Sequence, residues 1–179
     1  MAIYLITGAS SGLGLQVALH IARAGQHRLV LPVRDPIRGE MLRQTLLAAG
    51  ARAIDTPPLD LASLHSVRAC VGALRADPDP RFDGVLCNAG AHSAKRIEFT
   101  VDGVESTFAI NHLAHHLLAT NLIRQLNRAA FVGWTARATH DRRERSARLF
   151  GFRRARNPRS ALQVSKLRTA RGTAGPRAR

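Results

Sequence analysis

Residues 7–14 read Thr-Gly-Ala-Ser-Ser-Gly-Leu-Gly, and they stand between an apolar run and a helical one. Ile3-Tyr4-Leu5-Ile6 before them has the character of a buried strand, while Leu15, Val17, Ala18, Leu19, Ile21 and Ala22 after them recur with the period of a helix face. The chain must pass from strand to helix across three glycines. A side chain at such a turn would hold the backbone away from a bound anion, whereas the free N–H groups of a helix N-terminus attract one. The stretch predicts a nucleotide-binding turn, with Gly8, Ser10, Ser11, Gly12, Leu13 and Gly14 around the phosphates. Its spacing, G-x-x-x-G-x-G, departs from the usual G-x-G-x-x-G fingerprint. On these residues alone, a plain tight turn stands as the alternative.

Short strands and helical runs then alternate. Residues 28–33 read as a second strand, and Asp35-Pro36 supplies a cap residue followed by proline at the first helical position, predicting a helix over residues 36–49. The end of a second strand is where dinucleotide folds meet the adenosine ribose. An acid there suits a 2′-hydroxyl and an arginine suits a 2′-phosphate. Val33 occupies the acid's expected place and Arg34 follows it, which favours NADP; Asp35, one place late, would instead serve NAD. A third strand and its exit fall at residues 52–58. Asp60-Leu61-Ala62-Ser63 leads into a helix with Ser63 as cap and Leu64, Val67, Val71 and Leu74 on its inner face. Asp60 is also what a helix dipole favours near its N-terminus, with no ligand required.

Residues 82–87 form a fourth apolar run leading into Asn88-Ala89-Gly90, residue types that suit a turn. A further helix carries Asn111, His112, His115 and His116. The histidine spacing places imidazoles on one face, but neither an H-E-x-x-H pattern nor a cysteine pair accompanies them, so no metal site is expected. Residues 129–133 read as a fifth strand. The β-α-β-α order predicts an α/β fold of Rossmann type, a doubly wound parallel sheet with its ligand at the strand carboxyl ends.

Charge divides the chain. Residues 1–127 hold 12 Lys/Arg against 10 Asp/Glu, and residues 128–179 hold 15 against 2. The boundary of a nucleotide-binding domain is accordingly placed at residues 1–135, followed by a basic Arg/Ala/Gly-rich tail over 136–179. Three readings of that tail remain open: an arm for nucleic acid or an acidic partner, a solvated tail without order, and an out-of-frame translation of a G+C-rich gene. Cys70 and Cys87 are embedded in apolar runs and read as core thiols of a reducing cytosol. A strand beginning at the second or third residue leaves no room for a signal peptide, and no unbroken apolar run is long enough for a membrane span. The expectation is a cytoplasmic protein.

Thr-Gly-x-x-x-Gly-x-Gly after a first strand, Asp60, Asn-Ala-Gly after a fourth strand and Asn111 together resemble the short-chain dehydrogenase/reductase family. The run Thr100, Asp102-Gly103, Glu105, Phe108 and Asn111-His112-Leu113-Ala114-His115 is similar to its retinol-dehydrogenase-like and protochlorophyllide-reductase-like branch. The resemblance covers most of residues 3–127. It implies an NADP-dependent oxidoreductase acting on a small carbonyl or alcohol, with Asp60 and Leu61 at the adenine and Asn88, Ala89 and Gly90 against the cofactor. It implies that Asn111 holds a water in a proton relay, that Thr135 or Thr139 stands near the family's serine, and that Lys166 in Val164-Ser165-Lys166-Leu167 matches the lysine of its Tyr-x-x-x-Lys helix. Leu162 then falls at the tyrosine position, and the single tyrosine of the chain is Tyr4. The resemblance also implies further helices and strands that close the substrate pocket and make a dimer interface. The sequence reads as a C-terminally truncated or frameshifted member, with an inactive nucleotide-binding module as the alternative and no homo-oligomer expected.

Overall fold

The computed structural model describes residues 1–77, 81–91, 96–136, 148–153 and 163–166. Five parallel strands form the body of the sheet: β1 (Ile3–Ile6), β2 (Arg28–Val30), β3 (Ala53–Asp55), β4 (Phe82–Cys87) and β5 (Leu126–Ala136). Between them run α1 (Gly12–Arg23), α2 (Pro36–Ala48) and α3 (Leu64–Ala76). The connection from β4 to β5 contains α4 (Ser106–Phe108), a π-helical turn over Ala109–Leu113, α5 (Ala114–Leu122) and a 3-10 turn over Ile123–Gln125. The strand order β3-β2-β1-β4-β5 reverses at β1, so the crevice between the ends of β1 and β4 is the topological switch point of the sheet.

Alternation along the strands explains the two layers. Ile3 and Leu5 of β1 and Val85 and Cys87 of β4 face Val67, Val71 and Leu74 of α3 and Leu118 and Leu122 of α5. Ile6 and Leu86 face the other way, toward Ala18 and Ala22 of α1 and Leu42 and Leu46 of α2. Charged and polar groups tie neighbouring elements together: Arg28 reaches Asp55 at 2.6 Å and Asp77 at 2.9 Å, and Asp83 accepts from Ile3 N at 2.8 Å and Asn127 Nδ2 at 2.7 Å. Cys70 and Cys87 are free and buried, and burial pushes their thiols up to about 11 and about 12. Among the described residues, no helix is long and apolar enough to cross a membrane, and no cluster of three metal-ligating side chains is present.

The structure extends the sequence reading at two places. Asp35 and Ser63 cap α2 and α3 as expected, Asp35 accepting from Ile37 N at 2.9 Å and Ser63 Oγ from Ser66 N at 3.3 Å. Beyond β5, two stretches of the basic segment are strands, β6 (Arg148–Arg153) and β7 (Gln163–Lys166), pairing antiparallel as β5-β6-β7. Arg-Leu-Phe-Gly-Phe-Arg is rich in strand-forming residues, a short signal easily lost beside its many arginines. The remaining residues after 136, Thr139 and Leu162 included, lie outside the described residues.

Candidate functional site

The glycine turn leaves β1 at Thr7 and enters α1 at Gly12. Gly8 and Gly12 have φ of +67° and +58°, a region that side chains with a Cβ adopt at a penalty. The demand at Gly8 and Gly14 is also one of space. A Cβ on Gly8 would lie 2.7 Å from the Cα of Ala89, and one on Gly14 would meet Asn88 Nδ2 and the Gly8 carbonyl oxygen. The turn is thus folded against Asn88-Ala89-Gly90, at the carboxyl end of β4. Ser10, Ser11, Gly12 and Leu13 face outward from it and are exposed.

Thr7 and Asn88 hold this arrangement. The Thr7 hydroxyl oxygen accepts from Asn88 N at 2.9 Å and from Ala89 N at 3.0 Å. Asn88 Nδ2 returns the contact, donating to the carbonyls of Thr7 at 3.2 Å and Gly8 at 3.3 Å. Thr135, at the end of β5, donates its hydroxyl toward Asn88 Oδ1 at 3.2 Å and Asn88 O at 3.3 Å. Asn111 pins the far side of the loop, accepting from Ala91 N at 2.8 Å and donating to Ala91 O at 2.9 Å. It stands in the π-helical turn over Ala109–Leu113.

Around the end of β2 the two competing side chains have separate fates. Asp35 is spent on the cap of α2 and on an ion pair with Arg38 at 3.6 Å. Arg34 is exposed and makes no ion pair among the described residues. Asp60 accepts from Ala62 N at 2.9 Å, closing a local turn before α3, and its own N–H donates to Ser66 Oγ at 2.8 Å. Asp60 and Leu61 are half-buried beyond the ends of β2 and β3.

The residues assigned to chemistry are brought together only in part. Asn111 and Thr135 flank Asn88-Ala89-Gly90 from two sides. Lys166 is expected on a helix, and here its backbone belongs to β7, opposite Phe150 of β6, which in turn pairs with Trp134 of β5. Two strand spacings, about 10 Å, separate its backbone from that of Trp134. Four consecutive residues with a β-branched valine pair as a strand here rather than continuing a helix. Tyr4, half-buried in mid-β1, packs its ring 6.4 Å from Phe131 and 5.5 Å from His27.

His115 is the group whose part the sequence does not announce. It is buried, and its Nε2 lies 2.9 Å from the Thr7 hydroxyl. His112 and His116 stack on the exposed side of the same helix, centroids 6.4 Å apart. Burial, with a smaller push from His112, drives the His115 pKa from 6.5 down to about 4, against the favourable Asn111 carbonyl. Between pH 6.5 and about 4 the unfolded chain takes a proton that the folded chain refuses, so stability falls as pH falls through that window. The expected slope is roughly 1.4 kcal/mol per pH unit. Glu105, whose carboxylate the Phe108 and Thr107 amides hold below its usual range, loses its contribution only at lower pH. Urea titrations between pH 7 and pH 4.5 check this, and His115→Gln should flatten the dependence.

A sheet wound both ways from β1, with a glycine turn at its switch point locked to the loop after β4, defines a Rossmann-type domain. The chain belongs to the short-chain dehydrogenase family, whose family model matches residues 2–133. It is 38% identical over 132 residues to a protochlorophyllide reductase of Avena sativa, covering 72% of this chain and 41% of that protein. It is 40% identical over 128 residues to a chloroplastic protochlorophyllide reductase of Chlamydomonas reinhardtii, covering 70% and 32%. Among solved structures, a short-chain dehydrogenase from Sphingobium yanoikuyae in complex with NADPH superposes with TM-score 0.58 at 33% identity, covering 70% of this chain and 48% of that one. An alcohol dehydrogenase from Thermococcus sibiricus complexed with 5-hydroxy-NADP gives 0.57 at 27% identity, covering 70% and 53%. The chain thus spans less than half the length of the curated relatives it matches and about half of these structures.

Proposed function

We propose that this chain is the NADP(H)-binding part of a short-chain oxidoreductase that moves hydride between nicotinamide and a small carbonyl or alcohol. The observation that carries the cofactor choice is the division of labour after β2: Asp35 is consumed by its helix cap while Arg34 stands exposed beside it. An arginine at that place suits a 2′-phosphate through charge-assisted hydrogen bonds. The glycine turn fits a pyrophosphate because Gly8 and Gly14 leave no room for a Cβ against Ala89 and Asn88, so the backbone N–H groups at the start of α1 are the nearest donors. NADP, when bound, supplies or accepts the hydride. The protein's part is to seat it, with Gly8, Ser10, Ser11, Gly12, Leu13 and Gly14 at the phosphates, Arg34 at the ribose, Asp60 and Leu61 at the adenine, and Asn88, Ala89 and Gly90 beneath. The structural neighbours from Sphingobium yanoikuyae and Thermococcus sibiricus hold NADPH and 5-hydroxy-NADP, which accords with this reading. Buried free thiols suit a reducing cytosol.

A second reading, a nucleotide-binding module without turnover, is favoured by the position of Tyr4. Carbonyl reduction needs a proton donor at the carbonyl oxygen, and the chain's single tyrosine is packed against Phe131 within β1, not beside Asn111 and Thr135. Titration calorimetry with NADPH and NADH, followed by NADPH oxidation assays over a panel of ketones and aldehydes, separates the readings. Tighter binding of NADPH than NADH with ketone-dependent oxidation supports the first. Binding without oxidation supports the second. No binding of either nucleotide overturns both.

A further inference from the structure

Among the described residues, Thr7 and His115 are the buried polar side chains, each 1% exposed, and they touch each other across 108 positions of sequence. Proton counting fixes the direction of that contact. A threonine hydroxyl has one hydrogen and two lone pairs. The amides of Asn88 and Ala89 both donate to Thr7 Oγ1, at 2.9 and 3.0 Å, which occupies the lone pairs. The hydroxyl hydrogen is left to point at His115 Nε2, 2.9 Å away. Nε2 must therefore present its own lone pair, and the neutral ring carries its hydrogen on Nδ1, which faces the Asn111 carbonyl oxygen at 3.4 Å. The opposite tautomer would set a third donor against an oxygen with no lone pair to receive it.

We propose that His115 is a positioning residue for the cofactor turn: its Nε2 lone pair fixes the Thr7 hydroxyl and so holds the glycine turn and the Asn88-Ala89-Gly90 loop in register. The path is short. Thr7 precedes Gly8, whose carbonyl is clamped by Asn88, and both amides that Thr7 accepts belong to the loop the glycines pack on. Through Nδ1 the same ring reaches the π-helical turn that carries Asn111, so a single imidazole links α5, β1 and the loop after β4. A residue that only filled space there would need no particular tautomer and no lone pair. The inference rests on the reading of the turn as a dinucleotide site.

The first measurement is a long-range 15N–1H correlation spectrum of histidine-labelled protein without nucleotide at neutral pH, with the His115 signals assigned by their loss in His115→Gln. A bare Nε2 and protonated Nδ1 is expected, the reverse of the tautomer that imidazole side chains favour in water; an Nε2–H tautomer or a charged ring overturns the proposal. The second is NADPH affinity. His115→Gln places an amide oxygen where Nε2 stood and should stay within about threefold of the unmodified chain, whereas His115→Leu, which removes the acceptor, should weaken binding about tenfold. Equal affinities of the Gln and Leu variants overturn the positioning role. If His115→Leu does not fold, Thr7→Val against Thr7→Ser makes the same comparison from the other partner, and equal losses overturn it. An unmodified chain that binds no NADPH refutes the cofactor reading and the positioning role built on it, whereas the tautomer spectrum alone separates that failure from a misassigned hydrogen bond.

Discussion

Replacing Gly14 with alanine is expected to lower the melting temperature by roughly 10 °C and to remove measurable NADPH binding. Gly14 lies in the first turn of α1 and is buried, and the added methyl would stand where Asn88 Nδ2 and the Gly8 carbonyl oxygen now meet. Neither neighbour is a flexible end. Asn88 is held by Thr7 O, Gly8 O and Thr135, and the Gly8 carbonyl is backbone at a positive φ. Either α1 shifts away from β4 or Asn88 turns out of its bonds. Overpacking of this kind costs about 1–3 kcal/mol, and each buried hydrogen bond lost adds about 1. Both escapes move the N–H groups at the start of α1 that the proposed function sets against the phosphates, so on that reading binding is lost with either. Gly72→Ala provides the control: it sits within α3 with nothing inside 4 Å of its Cβ, and alanine there should raise stability by about 0.5–1 kcal/mol. Thermal melts and calorimetry on the two variants check the pair. An unchanged Gly14→Ala protein would mean that the turn is not packed on Asn88.

What the sequence made legible was local. Three glycines between an apolar run and a helical period, Asp35 before Pro36 and Ser63 before an apolar face each carry their structural consequence within a few residues, and β1, α1, α2 and α3 appear where those signals put them. Strand limits were less legible: residues 28–33 read as one strand, yet the ladder covers Arg28–Val30 and Val33 bridges separately to Pro58. Pro32 has no N–H to give, which interrupts pairing there. What stayed hidden was long-range. That Gly14 is a glycine because of Asn88, and that His115 serves Thr7 rather than His112 and His116, depends on pairs brought together only by the β1-β4 crossover. The histidine spacing places imidazoles on one face but says neither which of them turns inward nor what it meets. Asn111 was placed by resemblance, while the π-helical turn that presents it leaves no signature in composition. Lys166 shows the converse. A four-residue match to a family motif is too short to carry its helix, and the backbone there pairs as a strand.

Arg34→Ala should weaken NADPH by about 10- to 100-fold while leaving NADH within about twofold. The range follows from the loss of charged hydrogen bonds worth about 1.5–3 kcal/mol. The proposed function puts selectivity on this residue because of what its neighbour is doing. If Asp35 were free to take the 2′-hydroxyl, NADH would bind by it and a 2′-phosphate would be repelled. Its carboxylate instead accepts from Ile37 N and Arg38 N and pairs with Arg38. Asp35→Asn keeps an oxygen for the cap and removes the charge, so it should leave NADH affinity unchanged and tighten NADPH slightly. Asp35→Ala should instead cost about 1 kcal/mol of stability without a selectivity change of Arg34's size. Fluorescence titrations of both nucleotides against the three variants decide between the assignments. Equal losses of NADPH and NADH in Arg34→Ala would make Arg34 a general contributor to the site's positive potential rather than a 2′-phosphate ligand. A selective loss of NADH in Asp35→Asn would return the ribose to Asp35, and with it the preference to NAD. Because Arg34 is exposed, the effect should shrink as salt rises, whereas a defect at Gly14 or His115, built on packing and buried hydrogen bonds, should not; ionic strength therefore separates recognition of the phosphate from the scaffold that presents it.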